Sequence, residues 1–162
     1  MNPIDLFKLD GKSALVTGGG RGIGKAIAQG FAAAGAKVWI VGRNEKNCRE
    51  TASEIGGIFV KADLSSSVDI QKLARQIIEE EDKLDILVNN AAQEVILPFE
   101  KLDLDVADAI WRVNVRAVEE LTHSLLPLLK KAPGPSIINI TSIHDVMPYP
   151  NNLDYNMSKA AL

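Results

Sequence analysis

Two side chains near the end of the chain have the types and the spacing that proton transfer requires. Tyr155 and Lys159 are four positions apart in a stretch that begins at Asp154 and is typical of a helix start. Both therefore face one side of that helix. A free phenol has a pKa of about 10, and a neighbouring ammonium favours the phenolate and lowers that value. Tyr155 is thus a candidate general acid and base, although this spacing also occurs by chance in many helices.

Two further polar residues belong to elements that can bring them close to this pair. Ser142 lies thirteen positions before Tyr155, at the end of a predicted strand, and open parallel sheets place ligands at the carboxyl ends of their strands. Asn114 interrupts an apolar helical pattern, where a buried amide needs a polar partner. The simpler interpretation of Asn114 is a bond to a main-chain carbonyl group.

A glycine-rich turn near the start of the chain is the candidate for cofactor binding. Residues 13–17 form an uncharged run typical of a strand buried on both faces, and residues 25–34 are good helix formers. The glycines between them let backbone N–H groups approach a phosphate, and the N-terminus of the helix favours its negative charge. The predicted ligand is a dinucleotide pyrophosphate; the alternative is a plain strand-to-helix connection.

Apolar, β-compatible runs alternate with helical patterns along the whole chain, which predicts an α/β fold. Strands are predicted at 13–17, 37–42, 58–64, 84–92 and 136–142. Helices are predicted at 25–34, 44–55, 68–82 and 103–131, with another from 154. The segment 103–131 is either one long helix or a pair, and Pro127 should bend or end it.

Polar residues at three predicted strand ends extend the candidate site. Arg43 stands after the second strand, where many dinucleotide folds have an acidic residue, and its charged fork suits a phosphate. Arg21 adds a second positive charge, although either arginine could be an ordinary solvated one. Asp63 ends the third strand, where it binds a ligand or caps the next element. Asn89 and Asn90 end the fourth, either in a simple turn or beside a ligand.

Taken together, these features resemble classical short-chain dehydrogenases/reductases over the whole chain. The matching motifs are Thr17-Gly18 with Gly22-Ile23-Gly24, Asn89-Asn90-Ala91-Ala92, and Asn114, Ser142, Tyr155 and Lys159 at the four catalytic positions. Ala92 replaces a glycine of the family pattern. The resemblance implies a Rossmann-type, doubly wound parallel sheet with strand order 3-2-1-4-5, formed by residues 1–162 as one NAD(P)-binding domain.

The resemblance also implies roles for individual residues. Cofactor contacts would come from Gly18, Gly20, Arg21, Gly22, Ile23, Gly24, Arg43, Asp63, Leu64, Asn90, Ala91, Ala92, Tyr155 and Lys159. Asp63 would bind the adenine ring, and the basic residues imply NADP in preference to NAD.

In the implied reaction, Tyr155 would donate a proton to a carbonyl oxygen, or take one from an alcohol in the reverse direction. Ser142 would hydrogen-bond the same oxygen, Lys159 would bind the nicotinamide ribose, and Asn114 would complete a proton relay. The segment 142–150 resembles a loop of bacterial glucose dehydrogenases, in which His144 either donates to a sugar hydroxyl or faces solvent. The substrate class stays open between a secondary alcohol, a polyol and a 3-oxoacyl compound.

Composition limits the remaining possibilities. The 162 residues are 46% hydrophobic and 24% charged, as in a globular protein with one core. The net charge is -3 and the basic residues are scattered, so the sequence has no cluster of positive charge that would predict binding to nucleic acid or to an anionic membrane. Cys48 is the single cysteine, and no signal-peptide pattern precedes it, so the cytoplasm is the expected compartment. No metal site is predicted.

Length is the main departure from the family, whose members continue well beyond the Tyr-Lys helix. This sequence stops at Leu162, in the second turn of that helix. We expect it to be part of a longer enzyme that forms a homodimer or homotetramer, as the resemblance implies. The alternative is a catalytically silent dinucleotide-binding or interaction module.

Overall fold

A five-stranded parallel sheet forms the centre of the computed structural model, which describes residues 3–162. Its strands are β1 (Ser13–Thr17), β2 (Lys37–Gly42), β3 (Ile58–Lys61), β4 (Ile86–Asn89) and β5 (Ser136–Asn139). The strand order is β3-β2-β1-β4-β5, which confirms the predicted doubly wound, Rossmann-type topology. All five residues of β1 are buried, as the uncharged run predicts.

The described residues form six α-helices, four of which pack against the sheet. They are α1 (Gly22–Ala33), α2 (Glu45–Ile55), α3 (Ser67–Glu80), α4 (Leu104–Trp111), α5 (Ala117–Leu129) and α6 (Leu153–Ala161). One core cluster joins the sheet to α3 and α5, and a second joins it to α1 and α2. No helix within residues 3–162 is long and apolar enough to cross a membrane.

Short polar side chains fix where several of these helices begin. Asn44 accepts a hydrogen bond from the backbone N–H of Asn47 at the start of α2, and Ser66 does the same for Asp69 at the start of α3. Such caps satisfy N–H groups that have no partner inside the helix. Gly56 ends α2 in the left-handed region with φ 63°, a conformation that glycine adopts without steric cost.

Three predicted strands, the third, the fourth and the fifth, are longer than the observed ones. The third ends at Lys61, the fourth is Ile86–Asn89, and the fifth ends at Asn139, so Asp63 and Ser142 lie in the segments that follow their strands. Asp63 accepts a hydrogen bond from the N–H of Ser65, and Ser142 accepts one from the N–H of His144. Such side-chain bonds to the N–H two positions on are typical of turns rather than strands.

The predicted helix at 103–131 is one continuous helical run with a wider turn in its middle. A π-helical turn, Arg112–Arg116, joins α4 to α5. Pro127 lies inside α5, and the helix ends two residues later at Leu129, close to where a proline is expected to end it.

Asp85, a residue with a buried carboxylate, bonds the amino ends of two neighbouring strands. Asp85 is 2% exposed and precedes β4. It accepts hydrogen bonds from the Ser13 N–H (3.1 Å) and Lys12 Nζ (2.9 Å), and it pairs with Lys83. Its own carbonyl accepts from the Ser136 N–H at the start of β5. Burial alone would raise the pKa of Asp85. The hydrogen bonds from Lys12, Ser13 and Lys83 outweigh this effect, so the net pKa lies below its usual value.

We expect Asp85→Asn to lower the free energy of unfolding at pH 7 by roughly 1–3 kcal/mol, because charge-assisted bonds are lost. The folded-state pKa lies below the unfolded value of about 4, so the carboxylate stabilises fully above that value. Its contribution is lost as pH falls through the folded-state pKa, and this decline should be absent from the variant. Denaturant unfolding at several pH values measures both effects. Asp82→Asn, at an exposed carboxylate nearby, is the control; equal stability of Asp85→Asn and wild type at pH 7 would contradict the assignment.

Candidate active site

A cleft of about 650 Å³ is lined by segments that follow the carboxyl ends of β1, β2, β3 and β4. Of the residues predicted to bind a cofactor, all but Tyr155 and Lys159 line it. Six further residues line it that were not among the predicted cofactor contacts: Gly42, Asn44, Asn47, Cys48, Ala62 and Val113. Nothing in the local sequence pattern distinguishes these six residues from ordinary strand-end and helix positions. This is the edge at which an open α/β sheet binds ligands.

The glycine turn has the backbone geometry of an anion site. Gly18 and Gly22 have φ of 67° and 53°, in the left-handed region that favours glycine. Apart from its chain neighbours and the nearby backbone of its own helix, no atom of the described chain lies within 4 Å of the place where a Cβ on Gly22 would be. In the part of the chain that the structure describes, no side chain caps the start of α1. Its first N–H groups can therefore face a phosphate in the cleft.

Thr17 and Asn90 join the end of β1 to the end of β4. Thr17 Oγ1 accepts hydrogen bonds from the N–H groups of Asn90 (2.9 Å) and Ala91 (3.0 Å). Asn90 Nδ2 donates to the carbonyl of Thr17 at 2.8 Å. A Cβ on Gly24 would overlap Asn90 Nδ2 and the Gly18 carbonyl oxygen. The Asn90 side chain thus packs directly against the glycine turn. Nothing in the sequence indicated the Thr17 hydrogen bonds beyond the place of Thr17 in the glycine motif.

Arg43 and Asp63 lie beside each other at the far side of the cleft. The Arg43 side chain is 61% exposed, and its Nη1 lies 4.0 Å from Asp63 Oδ2. Asp63 Oδ1 accepts hydrogen bonds from the N–H and Oγ of Ser65. Burial raises the pKa of Asp63, but the Ser65 bonds and the Arg43 charge outweigh it, so the net pKa lies below its ordinary value. The carboxylate therefore stays charged at neutral pH beside an exposed guanidinium.

Lys159 is an almost fully buried amine beside the ring of Tyr155. It is 3% exposed, and its Nζ lies 5.7 Å from the centre of the Tyr155 ring. The same Nζ donates to the carbonyl of Ile140, just past the end of β5, at 2.6 Å. Burial lowers the pKa of Lys159. The i, i+4 spacing on α6 thus places the amine against the phenol ring and also ties α6 to β5.

Asn114 lies in the π-helical turn and is fully buried, and both the oxygen and the nitrogen of its side-chain amide are hydrogen-bonded. Its Oδ1 accepts from the Gln93 N–H at 2.7 Å, and its Nδ2 donates to the Gln93 carbonyl and to Ser158 Oγ, each at 2.9 Å. Ser158 Oγ in turn donates to the Tyr155 carbonyl at 2.8 Å. Asn114 therefore holds α6 in place through Ser158, a residue that the sequence did not single out.

His144 lies in a short 3-10 turn, Ile143–Asp145, and Ser142 immediately precedes and caps this turn. Ser142 Oγ accepts from the His144 N–H at 3.1 Å. The His144 ring centre is 6.3 Å from that of Tyr155. His144 Nδ1 lies 3.2 Å from the Met147 carbonyl oxygen, a contact that requires the proton on Nδ1. A neutral His144 therefore presents Nε2 as a hydrogen-bond acceptor.

The structure brings the predicted residues into two neighbouring groups. The cofactor cleft forms one group. In the other, Lys159 lies beside Tyr155, Asn114 bonds Ser158 of the same helix, and Ser142 bonds His144, whose ring centre is 6.3 Å from that of Tyr155. The two groups are connected at the π-helical turn, where Val113 lines the cleft and the next residue, Asn114, bonds α6.

The chain is similar to known proteins in both its sequence and its fold. The family model described as short chain dehydrogenase matches residues 12–162. A 3-oxoacyl-acyl-carrier-protein reductase of rhamnolipid biosynthesis from Pseudomonas aeruginosa is 38% identical over 96% of this chain, and a 7alpha-hydroxysteroid dehydrogenase of Clostridium sardiniense is 32% identical over 96%. This chain spans 64% and 62% of their lengths.

A solved structure, the RhlG/NADP active-site complex of Pseudomonas aeruginosa, superposes with a TM-score of 0.90 at 38% identity. The superposition covers 99% of this chain and 66% of that one.

Two alanine substitutions on the same helix test the packing of the glycine turn. Gly24→Ala should lower the free energy of unfolding by roughly 1–3 kcal/mol, because its Cβ overlaps Asn90 and the Gly18 backbone. Gly30→Ala is the matched control: it has open space around it and should gain about 0.5–1 kcal/mol from helix propensity. Thermal and denaturant unfolding measure both variants. A Gly24→Ala protein as stable as Gly30→Ala would contradict the packing described here.

Proposed function

The chain belongs to the short chain dehydrogenase family, and on that basis we propose that it acts as an NADP(H)-dependent oxidoreductase. The reaction would interconvert a secondary alcohol and its carbonyl compound. The observation that carries the proposal is the buried Lys159 amine 5.7 Å from the Tyr155 ring centre, beside a cleft whose glycine turn suits a dinucleotide. NADP is present in the Pseudomonas aeruginosa structure, and its transfer to this chain is part of the proposal.

The residues that line the cleft fit NADP. The open space beside Gly22 and the uncapped start of α1 suit a pyrophosphate in the described part of the chain. Arg43 and Arg21 both line the cleft and are exposed, so their charges are available to a 2'-phosphate. Asp63 and Leu64 would contact the adenine, and the segment from Asn90 to Ala92 would contact the ribose.

When bound, NADPH would supply a hydride to a carbonyl carbon, and the protein must supply the proton for the oxygen. Tyr155 would give its hydroxyl proton to that oxygen, which leaves a phenolate. The Lys159 ammonium lies beside the ring, where its charge stabilises that phenolate. In the reverse direction the phenolate would take the proton back from the alcohol.

Ser142 would orient the reacting oxygen. Its Oγ already accepts the His144 N–H, so its hydroxyl hydrogen is left to donate to the substrate oxygen. Asn114 would act as a positioning residue, because its amide is committed to Gln93 and Ser158. The proton relay assigned to it by family resemblance would therefore depend on its main chain rather than its side chain.

The substrate is a small molecule with a secondary alcohol or ketone. The two relatives act, by their names, on a 3-oxoacyl compound and on a hydroxysteroid. His144 would contact the substrate through Nε2, which in the neutral ring accepts a bond from a hydroxyl group. A sugar, polyol or 3-hydroxyacyl compound meets this requirement.

Removal of one hydroxyl group tests the proposed acid. Tyr155→Phe should lower kcat by about 100-fold to 10,000-fold, while the Kd for NADPH changes by less than about twofold. NADPH oxidation with a panel of ketones and 3-oxoacyl thioesters measures turnover, and fluorescence titration measures binding. The control is Tyr149→Phe, which removes the hydroxyl group of the other tyrosine in the chain; this variant should stay active. Undiminished turnover of Tyr155→Phe would overturn the assignment. Tight NADPH binding by wild type with no turnover of any substrate would favour the silent module.

Arg43→Ala tests the cofactor preference. Loss of a charge-assisted bond to phosphate should reduce the ratio of NADP to NAD affinity by about 10-fold to 100-fold. Arg49→Ala is the matched control, because Arg49 is exposed on α2 and outside the cleft, where it pairs with Glu45. Both cofactors are titrated at one ionic strength. An unchanged ratio in Arg43→Ala would overturn the NADP preference.

A further inference from the structure

The side chain of Cys48 fills the space between two segments of the cleft that each lead into an arginine. Cys48 is 2% exposed and lines the cleft from α2. A Cβ built on Gly20 would lie 2.6 Å from its Sγ, and one built on Gly42 would lie 2.7 Å from it. Gly20 immediately precedes Arg21, and Gly42 immediately precedes Arg43. One sulfur atom therefore touches both backbones from which these guanidinium groups extend.

The sulfur packs between two segments that are also joined by a backbone hydrogen bond, from the Gly18 N–H to the Val41 carbonyl at 2.7 Å. Near Gly42, Cys48 Sγ is the one atom of the described chain, apart from the chain neighbours of Gly42, that lies within 4 Å of the built Cβ. Near Gly20, the backbone of α2 also approaches, with Cys48 N at 3.0 Å from the built Cβ. Packed interiors do not absorb even one extra methyl group without shifts of backbone or side chains. A larger side chain at position 48 is therefore expected to push on both the glycine turn and the end of β2.

We infer that Cys48 is a positioning residue that sets the separation of Arg21 and Arg43, and with it the preference for a 2'-phosphate over a 2'-hydroxyl group. The inference rests on the proposed NADP-dependent function. Two guanidinium groups bind one phosphate well only at a suitable separation, because charge-assisted hydrogen bonds weaken steeply with geometry. Burial raises the pKa of the Cys48 thiol, so at neutral pH the group packs as a small uncharged side chain.

The test uses two fragments that differ by the 2'-phosphate, and it does not depend on turnover. Calorimetry gives the Kd of 2',5'-ADP and of 5'-AMP for wild type, Cys48→Ser and Cys48→Val. The ratio of the two affinities should fall about tenfold in Cys48→Val, which adds a carbon where the glycines leave no space. Cys48→Ser preserves the size of the side chain and should keep the ratio within about twofold of wild type.

Two further variants separate positioning from general loosening of α2. Ala52→Val enlarges a buried side chain one turn further along α2; it should lower Tm but leave the affinity ratio within about twofold. Cys48→Ala cannot clash, so it decides the matter if Cys48→Val fails to fold. The void it leaves lets the two segments shift, and the ratio should fall about threefold.

Each outcome has a defined meaning. A wild-type preference for 2',5'-ADP that persists in Cys48→Val, or in Cys48→Ala where the valine variant does not fold, overturns the inference and leaves the proposed function intact. An equal loss of the ratio in Ala52→Val also overturns it. A wild-type protein that binds both fragments equally overturns the NADP preference, and the inference with it.

Discussion

The join between Thr17 and Asn90 is the constraint on which the cleft depends. A glycine turn has little rigidity of its own, because glycine has no side chain that restricts its backbone angles or packs against its surroundings. Here the turn rests on the Asn90 amide, which is fixed by the Thr17 backbone and by the neighbouring strand. Adjacent parallel strands therefore do more than form a sheet, since β4 supplies the surface that holds the turn after β1 in its binding shape.

A second constraint is the burial of Lys159. An amine out of water is costly unless it is paired or hydrogen-bonded, and the Ile140 carbonyl is the partner that the described chain provides. Burial lowers the pKa of Lys159 and makes its ammonium easier to deprotonate than that of an exposed lysine. The bond to Ile140 fixes α6 on the end of β5, and α6 also carries Tyr155.

The sequence predicted what local patterns determine. β1, the glycine turn and the ends of α2 follow from buried runs, left-handed glycines and a capping asparagine. The predicted bounds of the third, fourth and fifth strands were too wide, and Asp63 and Ser142 instead make the short side-chain bonds that are typical of turns. The contacts of Thr17 with Asn90 and of Asn114 with Ser158 join residues 73 and 44 positions apart. Such pairs have no signature in a single sequence before the fold is known.

The π-helical turn between α4 and α5 determines which side of α5 faces the sheet. A wider turn uses one residue more than an α-helical turn, and one residue corresponds to about 100° of rotation about the axis. With this rotation, the buried leucines of α5, among them Leu121 and Leu125, pack in the core cluster against the sheet. A chain shortened by one residue within 112–116 would form a more regular helix, yet it would turn this apolar stripe aside from the sheet.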